Sequence, residues 1–397
     1  MGRYVGTVVR GIRMPIIRQG DALESMVVER ILQTSHAEGF SIRNKDVVGI
    51  TESIVARSQG NYASIDNIVT DLSEKFQGAP LGVVFPILSR NRFSILLRAI
   101  AKSTHHVFIQ LSYPSDEVGN PLISPDLLDE KAVNPWTDTF TEEEFQTCFG
   151  KSCHPFTGID YLAYYRSLVE DEGTQCTFLF SNQPQTICDM THAVLVCDIH
   201  NRFRTKRFLK DAGAEIVYGL DDILTKPIKG SGYNPDFGLL GSNKATEETV
   251  KLFPRECQSV VNGIQAQLKE KTGKTVEVLI YGDGAFKDPV AKIWELADPV
   301  VSPGYTSGLE GTSNEVKIKY LADNQFSTLS GQALNQAIVE QIQKKKEDLK
   351  SAMESQGTTP RRLTDLLGSL CDLTSGSGDK GTPVIYIQGY FDSYASE

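Results

Sequence analysis

The chain has 397 residues, 40% of them apolar and 23% charged, with a formal net charge of −10. That length supports two or three separate cores, no apolar run approaches the roughly 20 residues of a membrane span, and the acidity argues against a nucleic-acid partner, whose phosphates want a basic face. Seven scattered cysteines, with no CxxC pair, exclude a disulfide framework and point to a reducing cytoplasm.

In chain order, Tyr4–Arg10 reads as a strand rather than a signal peptide. Asp21–Gln33 has the apolar spacing of a helix (Leu23, Met26, Val27, Ile31), and Val47–Val55 is an apolar strand. A helix over Ile65–Phe76 and a strand at Gly82–Phe85 continue the alternation, which points to α/β layers. From about Arg90 the texture changes. Asn91–Lys102 reads as helix and Val107–Leu111 as strand, followed by a Pro-, Asn- and Asp-rich tract through Pro135. Thr141–Phe145 and Tyr161–Val169 read as helices. Strands at Cys176–Phe180, Ala193–Val196 and Ala214–Tyr218 and a helix over Thr205–Asp211 suggest an inserted α/β subdomain. Glu247–Lys271 reads as largely helical with an interruption near Pro254, Val276–Tyr281 as a buried strand, and Leu329–Met353 as a long amphipathic helix. Residues 1–88 and 233–397 are therefore expected to form one α/β (α+β) core of mixed sheets, with 89–232 inserted into it.

Two segments carry chemistry. Thr374 through Thr382 are nine consecutive small or polar residues, and the apolar run Pro383–Gly389 follows. Such a stretch lets backbone N–H groups approach an oxyanion, with Lys380 adding a positive charge; a flexible connection is the plain alternative. Gly376-Ser-Gly-Asp-Lys-Gly381 fits the dinucleotide pattern GxGxxG, but a strand follows where that fingerprint needs a helix, so it is rejected. Gly273-Lys274-Thr275 is similarly a helix end rather than a Walker loop. In the second segment, the strand Val276–Tyr281 runs into Gly282-Asp283-Gly284. A carboxylate flanked by glycines at a strand's carboxyl end suits Mg²⁺ or Mn²⁺ shared with phosphates, or equally an Asx turn. Asn234–Lys244 is expected to lead into a helix starting near Glu247, with Ser242 or Thr246 as its cap, or to offer Asn243 and Lys244 to a nucleotide. Arg57, Arg90 and Arg92 are candidate anion contacts. Cys197-Asp198-Ile199-His200 lacks partners at metal-ligand spacing, so no zinc or thiol site is expected.

Two blocks resemble the gamma-glutamyl ligases that extend a coenzyme F420 precursor. The first is Met14-Pro-Ile-Ile-Arg-Gln-Gly-Asp21 with Asp46–Gly60. The second runs from Gly238-Leu-Leu-Gly-Ser242-Asn243 through Lys251-Leu-Phe-Pro254, Tyr281-Gly-Asp283-Gly-Ala-Phe286 and Gly308-Leu-Glu-Gly311 to Gly381–Gly389. The resemblance implies a homodimeric α/β ligase using GTP or ATP with Mg²⁺ or Mn²⁺. It implies that Asp283 binds metal, and that Met14, Pro15, Ile16, Ile17, Arg57, Asn243 and the loop Ser375-Gly376-Ser377-Gly378-Asp379-Lys380-Gly381-Thr382 contact the nucleotide. The chain departs from the family at Leu240, where an aspartate is usual, at Gly284, usually a hydroxyl residue, and at Glu52-Ser53, usually Ser-Lys. Asp236 or Asp288 is the expected replacement for the missing carboxylate.

The resulting expectation is a cytoplasmic acid–amine ligase that activates a small-molecule carboxylate as an acyl phosphate and joins it to L-glutamate or a similar amine. Asp283 and Lys380 are its catalytic residues. A non-catalytic nucleotide sensor is the alternative.

Overall fold

The computed structural model describes residues 4–151, 153–154, 158–283, 300–345, 355, 361–376 and 378–396. Its strands are β1 (Val8–Ile12), β2 (Val47–Thr51), β3 (Tyr62–Ser64), β4 (Leu81–Val84), β5 (His106–Leu111), β6 (Phe140–Thr141), β7 (Gln175–Phe180), β8 (Ala193–Val196), β9 (Ile216–Gly219), β10 (Asn243–Lys244), β11 (Thr249–Lys251), β12 (Glu277–Asp283), β13 (Val300–Tyr305) and β14 (Val384–Gln388). Helices and three sheets share the chain, an α/β (α+β) fold. Residues up to Ser58 group with Glu256–Asp283 and the described residues from 300 onward; residues Gln59–Arg255 form a second unit. The boundaries expected at 88/89 and 232/233 both fall inside that second unit. The reason is pairing: β3 joins β10 and β11, and β4 joins β5 and β8, so both leave the first unit's sheet.

The first unit holds a mixed sheet ordered β1-β14-β2-β12-β13. β2 is its centre, antiparallel to β14 and parallel to β12. Alternate residues face opposite ways along a strand. Val48, Ile50, Val278, Ile280, Val384 and Tyr386 pack with the helices Leu23–Ala37 and Cys257–Thr272, while Val47, Leu279, Ile385 and Ile387 pack with the helix Leu363–Ser375. Both faces are covered, which is why these strands read as unbroken apolar runs.

The second unit is built on a sheet ordered β6-β7-β5-β4-β8-β9, parallel except for β6. Chain order runs outward from β4 through β5 to β7, then returns to β8 and β9 on β4's other side. This is a doubly wound sheet whose order reverses between β4 and β8. Leu81, Val83 and Leu195 face the large core with the helices Ile65–Phe76, Ser94–Lys102 and Tyr161–Glu170. Val84, Val194 and Val196 face Ile187 and Leu209. The hairpin β10–β11 pairs with β3.

Three expectations are corrected. The strand expected over Val47–Val55 stops at Thr51, and a helix, Glu52–Ser58, carries on the apolar run. The helix expected across Glu247–Lys271 begins at Cys257, and Thr249–Lys251 is strand. No helix follows Asn243: Thr246 lies in the β10–β11 turn, where its hydroxyl shares a 2.7 Å hydrogen bond with that of Thr249. Among the described residues no helix is long and apolar enough to cross a membrane.

Gly49, in the middle of β2, is where the helix Leu363–Ser375 approaches most tightly: a Cβ there would overlap the Cys371 sulfur. Gly49→Ala is expected to cost about 1–3 kcal/mol as an overpacking change, and Cys371→Ala in the same chain should recover most of it. Denaturant melts of the two single variants and the double variant measure this directly.

Candidate active site

The carboxyl end of β2 organises the first unit's candidate residues. β12 runs parallel to β2 with Tyr281 beside Thr51, so Asp283 ends its strand just past that point. β14 runs the other way and therefore starts there. Thr51 N–H donates to Pro383 O at 3.0 Å, and Val384 lies opposite Ile50. β1 ends opposite Val384, and Met14 N–H donates to Gly381 O at 3.0 Å. Arg57, on the helix leaving β2, donates through Nε to Ile17 O at 3.1 Å. One edge of one sheet thus gathers the Met14–Ile17 segment, Arg57, the turn before β14 and the strand end bearing Asp283.

Within that edge the exposures differ. Pro15 and Ile16 are exposed, Met14 is half-buried and Ile17 is buried against the core. The Arg57 and Lys380 side chains are exposed. Glu52, which starts the helix after β2, is buried. The Asp283 side chain and residues Gly284, Asp288 and Ser377 lie outside the described residues.

The turn before β14 is compact rather than loose. The helix Leu363–Ser375, which the sequence did not announce, ends at Gly376, and Gly378–Lys380 forms a short 3-10 turn. The Thr382 hydroxyl donates to Ser375 O at 3.2 Å, closing the loop on itself. Gly376 has φ 59°, which favours glycine, and a Cβ there would meet the Lys380 Nζ that folds over it. The loop leaves a helix by its C-terminus, so the helix dipole opposes an anion at this point. Attraction for an anion at this turn would have to come from backbone amides and Lys380.

Asn243, Lys244 and Asp236, like Arg90 and Arg92, belong to the second unit. Asn243 sits in β10 opposite Lys251, and the Lys244 ammonium pairs with Glu247 at 2.6 Å. Asp236 is exposed, and its N–H donates to the side chain of buried Asn234 at 3.0 Å, so it occupies an Asx turn. Among the described residues no three His, Cys, Asp or Glu side chains group as a metal cluster.

The sequence also gave no sign of how the loop after β5 is used. Asp116, buried, accepts from Leu88 N–H at 2.8 Å, Val118 N–H at 3.0 Å and Asn120 N–H at 2.8 Å. Its neighbour Glu117 accepts from the amides of Ile199, His200 and Asn201 at 2.6, 2.9 and 3.2 Å. Adjacent acids thus tie one loop to the chain leaving β4 and to the chain leaving β8. The only hint in the sequence was a tract rich in turn-forming Asp, Asn and Pro.

Cys197 is buried, and burial with the nearby Asp198 pushes its thiol well up, which disfavours a thiolate. Asp198 itself is pushed up to about 7, first by burial and then by the Glu117 carboxylate. One of its oxygens accepts from the Thr205 hydroxyl at 2.8 Å, and the other is buried without a partner.

With its mixed sheets covered on both faces and its Gly-rich turn at a strand-end edge, the chain falls in the class of two-unit α/β enzymes. It matches the F420-0:Gamma-glutamyl ligase family over residues 11–389, nearly its whole length, and belongs to that family. It is accordingly a ligase that forms C–N (amide) bonds, tied to F420 biosynthesis. No curated protein matches it.

Asp198 offers a pH test. Between the ordinary aspartate value and about 7 the folded chain keeps a proton that the unfolded chain has released, so stability falls as pH rises through that window and levels off above it. A gap of this size is worth roughly 4 kcal/mol. Asp198→Asn lacks that loss. Its melting temperature relative to the unsubstituted protein should therefore climb between about pH 4 and 7 and then plateau; parallel melting curves across that range would refute the assignment.

Proposed function

We propose that this ligase is nucleotide-dependent and works through an acyl phosphate. An oxygen of the substrate carboxylate attacks the γ-phosphorus of GTP or ATP, and the nucleoside diphosphate leaves. The amine nitrogen of L-glutamate, or a similar amine, then attacks the acyl carbon; phosphate leaves with the bonding electrons and the nitrogen gives up a proton. Such a reaction needs mainly positioning and neutralisation of charge, not a protein nucleophile.

The observation that carries this reading is the shared edge of β2, β12 and β14, where Thr51 N–H meets Pro383 O at 3.0 Å. Lys380, exposed and folded over Gly376, supplies positive charge toward a phosphate. Arg57, anchored through Nε to Ile17 O, keeps the rest of its exposed guanidinium for a second phosphate oxygen. The Met14–Ile17 segment offers main-chain groups and an exposed apolar surface at Ile16, 78% accessible, for a base or ribose. Asn243, on β10, is assigned to the nucleotide by family resemblance alone.

Asp283 is the residue that would hold Mg²⁺ or Mn²⁺. A single carboxylate would suffice as the protein's share, because Mg²⁺ is usually bound by one or two carboxylates, substrate phosphates and water rather than by an all-protein cage. When bound it would neutralise developing charge on the phosphates. F420-0 is the first acceptor to try, on the family's description.

The test is glutamate-dependent phosphate release from GTP and from ATP with F420-0 present. Asp283→Asn should reduce turnover about a hundred- to a thousandfold, the equivalent of several kcal/mol at the transition state, with an unchanged melting temperature. Lys380→Ala should weaken nucleotide binding without unfolding the chain. Undiminished phosphate release in the Asp283 variant would remove the metal assignment.

A further inference from the structure

In a doubly wound sheet, ligands collect beyond the carboxyl ends of the strands where the order reverses. In the second unit that point lies between β4 and β8, and a cleft of about 400 Å³, counting its open mouth, sits there. Ile87 follows β4, Ile199 follows β8 and Leu220 follows β9; Phe93, Leu239 and Leu240 complete the apolar walls.

Two facts narrow what the cleft takes. First, the amides of Ile199, His200 and Asn201, the place where such sheets commonly seat a phosphate, already bind the Glu117 carboxylate. A phosphate there would meet a like charge and find those donors occupied. Second, the lining carries two strong donors, Arg92 and Ser242. Ser242 is 3% exposed, and its hydroxyl has no hydrogen-bond partner. Leaving a buried hydroxyl unpartnered is costly, and a ligand acceptor would recover that cost. A guanidinium and a hydroxyl, both donors, suit an acceptor carrying a single negative charge, and the walls suit a small hydrocarbon body.

We infer that the second unit carries a binding site for a small aromatic or branched aliphatic monocarboxylic acid, with its carboxylate on Arg92 and Ser242 and its apolar body against Phe93, Leu239 and Leu240. Recognition at this site needs no nucleotide and does not rest on the acyl-phosphate reading.

The probe is 3-phenylpropionate, titrated calorimetrically into the full chain without nucleotide. It should bind with a Kd of about a millimolar or tighter, as expected for a ligand of this size. Arg92→Gln should weaken it about tenfold and Ser242→Ala several-fold. The uncharged 3-phenylpropionamide should bind the unsubstituted protein about tenfold less tightly than the acid, and should not distinguish it from Arg92→Gln. Leu240→Trp, which fills the cleft, should abolish binding; if that variant does not fold, Leu220→Phe takes its place. Absence of binding at 20 times the expected Kd overturns the site. So does binding that the cleft-filling variant leaves unchanged, or inorganic phosphate displacing the acid.

Discussion

The first unit depends on the position of β2 between two strands of opposite sense. Parallel pairing with β12 puts two carboxyl ends side by side, and antiparallel pairing with β14 puts that strand's amino end against them. The backbone at the junction is thereby pinned at two points: Thr51 is fixed to Pro383, and Met14 to Gly381. Segments more than 300 residues apart in sequence acquire a common address through ladder hydrogen bonds alone. The chemistry proposed for the edge follows from that register, because a one-residue slip would turn each strand's side chains to the opposite face.

The second unit solves a related problem differently. A parallel sheet leaves the amides beyond its strand ends unpaired, and they need acceptors. Here the acceptors are Asp116 and Glu117, side by side on one loop, serving the exits of β4 and β8. Asp198, buried nearby, has its carboxyl pushed up to about 7, first by burial and then by the Glu117 charge. The adjoining cleft is lined mainly by hydrocarbon.

Much of the layering was legible in the residues. The helix Ile65–Phe76 could be read to its ends because Ser64 and Asn67 form a capping box around an apolar stripe. β8 and the strand after the Gly-rich turn could be read because both are short apolar runs bounded by polar residues. Val47–Val55 misled because a fully buried strand followed by a buried helix is apolar throughout, and periodicity cannot divide them. Thr249–Lys251 misled because the Glu-Glu-Thr-Val sequence favours a helix start, while pairing with β3 overrides that preference. The boundaries expected at 88/89 and 232/233 fall inside the second unit because the partners of β3 and β4 are chosen by long-range pairing that no local pattern records. At the site, the Gly-rich turn and the strand end with Asp283 were both visible as motifs. The clamps made by Asp116 and Glu117 were not, since a carboxylate's acceptor role depends on which amides arrive beside it.

The ends of the second unit carry a consequence for synthesis of the chain. Gln59 and Arg255 hold one another at both ends of the segment: the Gln59 side chain donates to Arg255 O at 2.6 Å and accepts from Arg255 N–H at 2.9 Å. Both termini of this continuous stretch are therefore clasped at a single doorway, as in a module spliced into a host. On the ribosome, that stretch has all its described strands, β3 to β11, once residue 255 has emerged. The host cannot close its sheet until β14 reaches its slot between β1 and β2. During elongation β2 can pair with β12 once that strand is made, whereas β1, whose neighbour in the sheet is β14, has to wait for it.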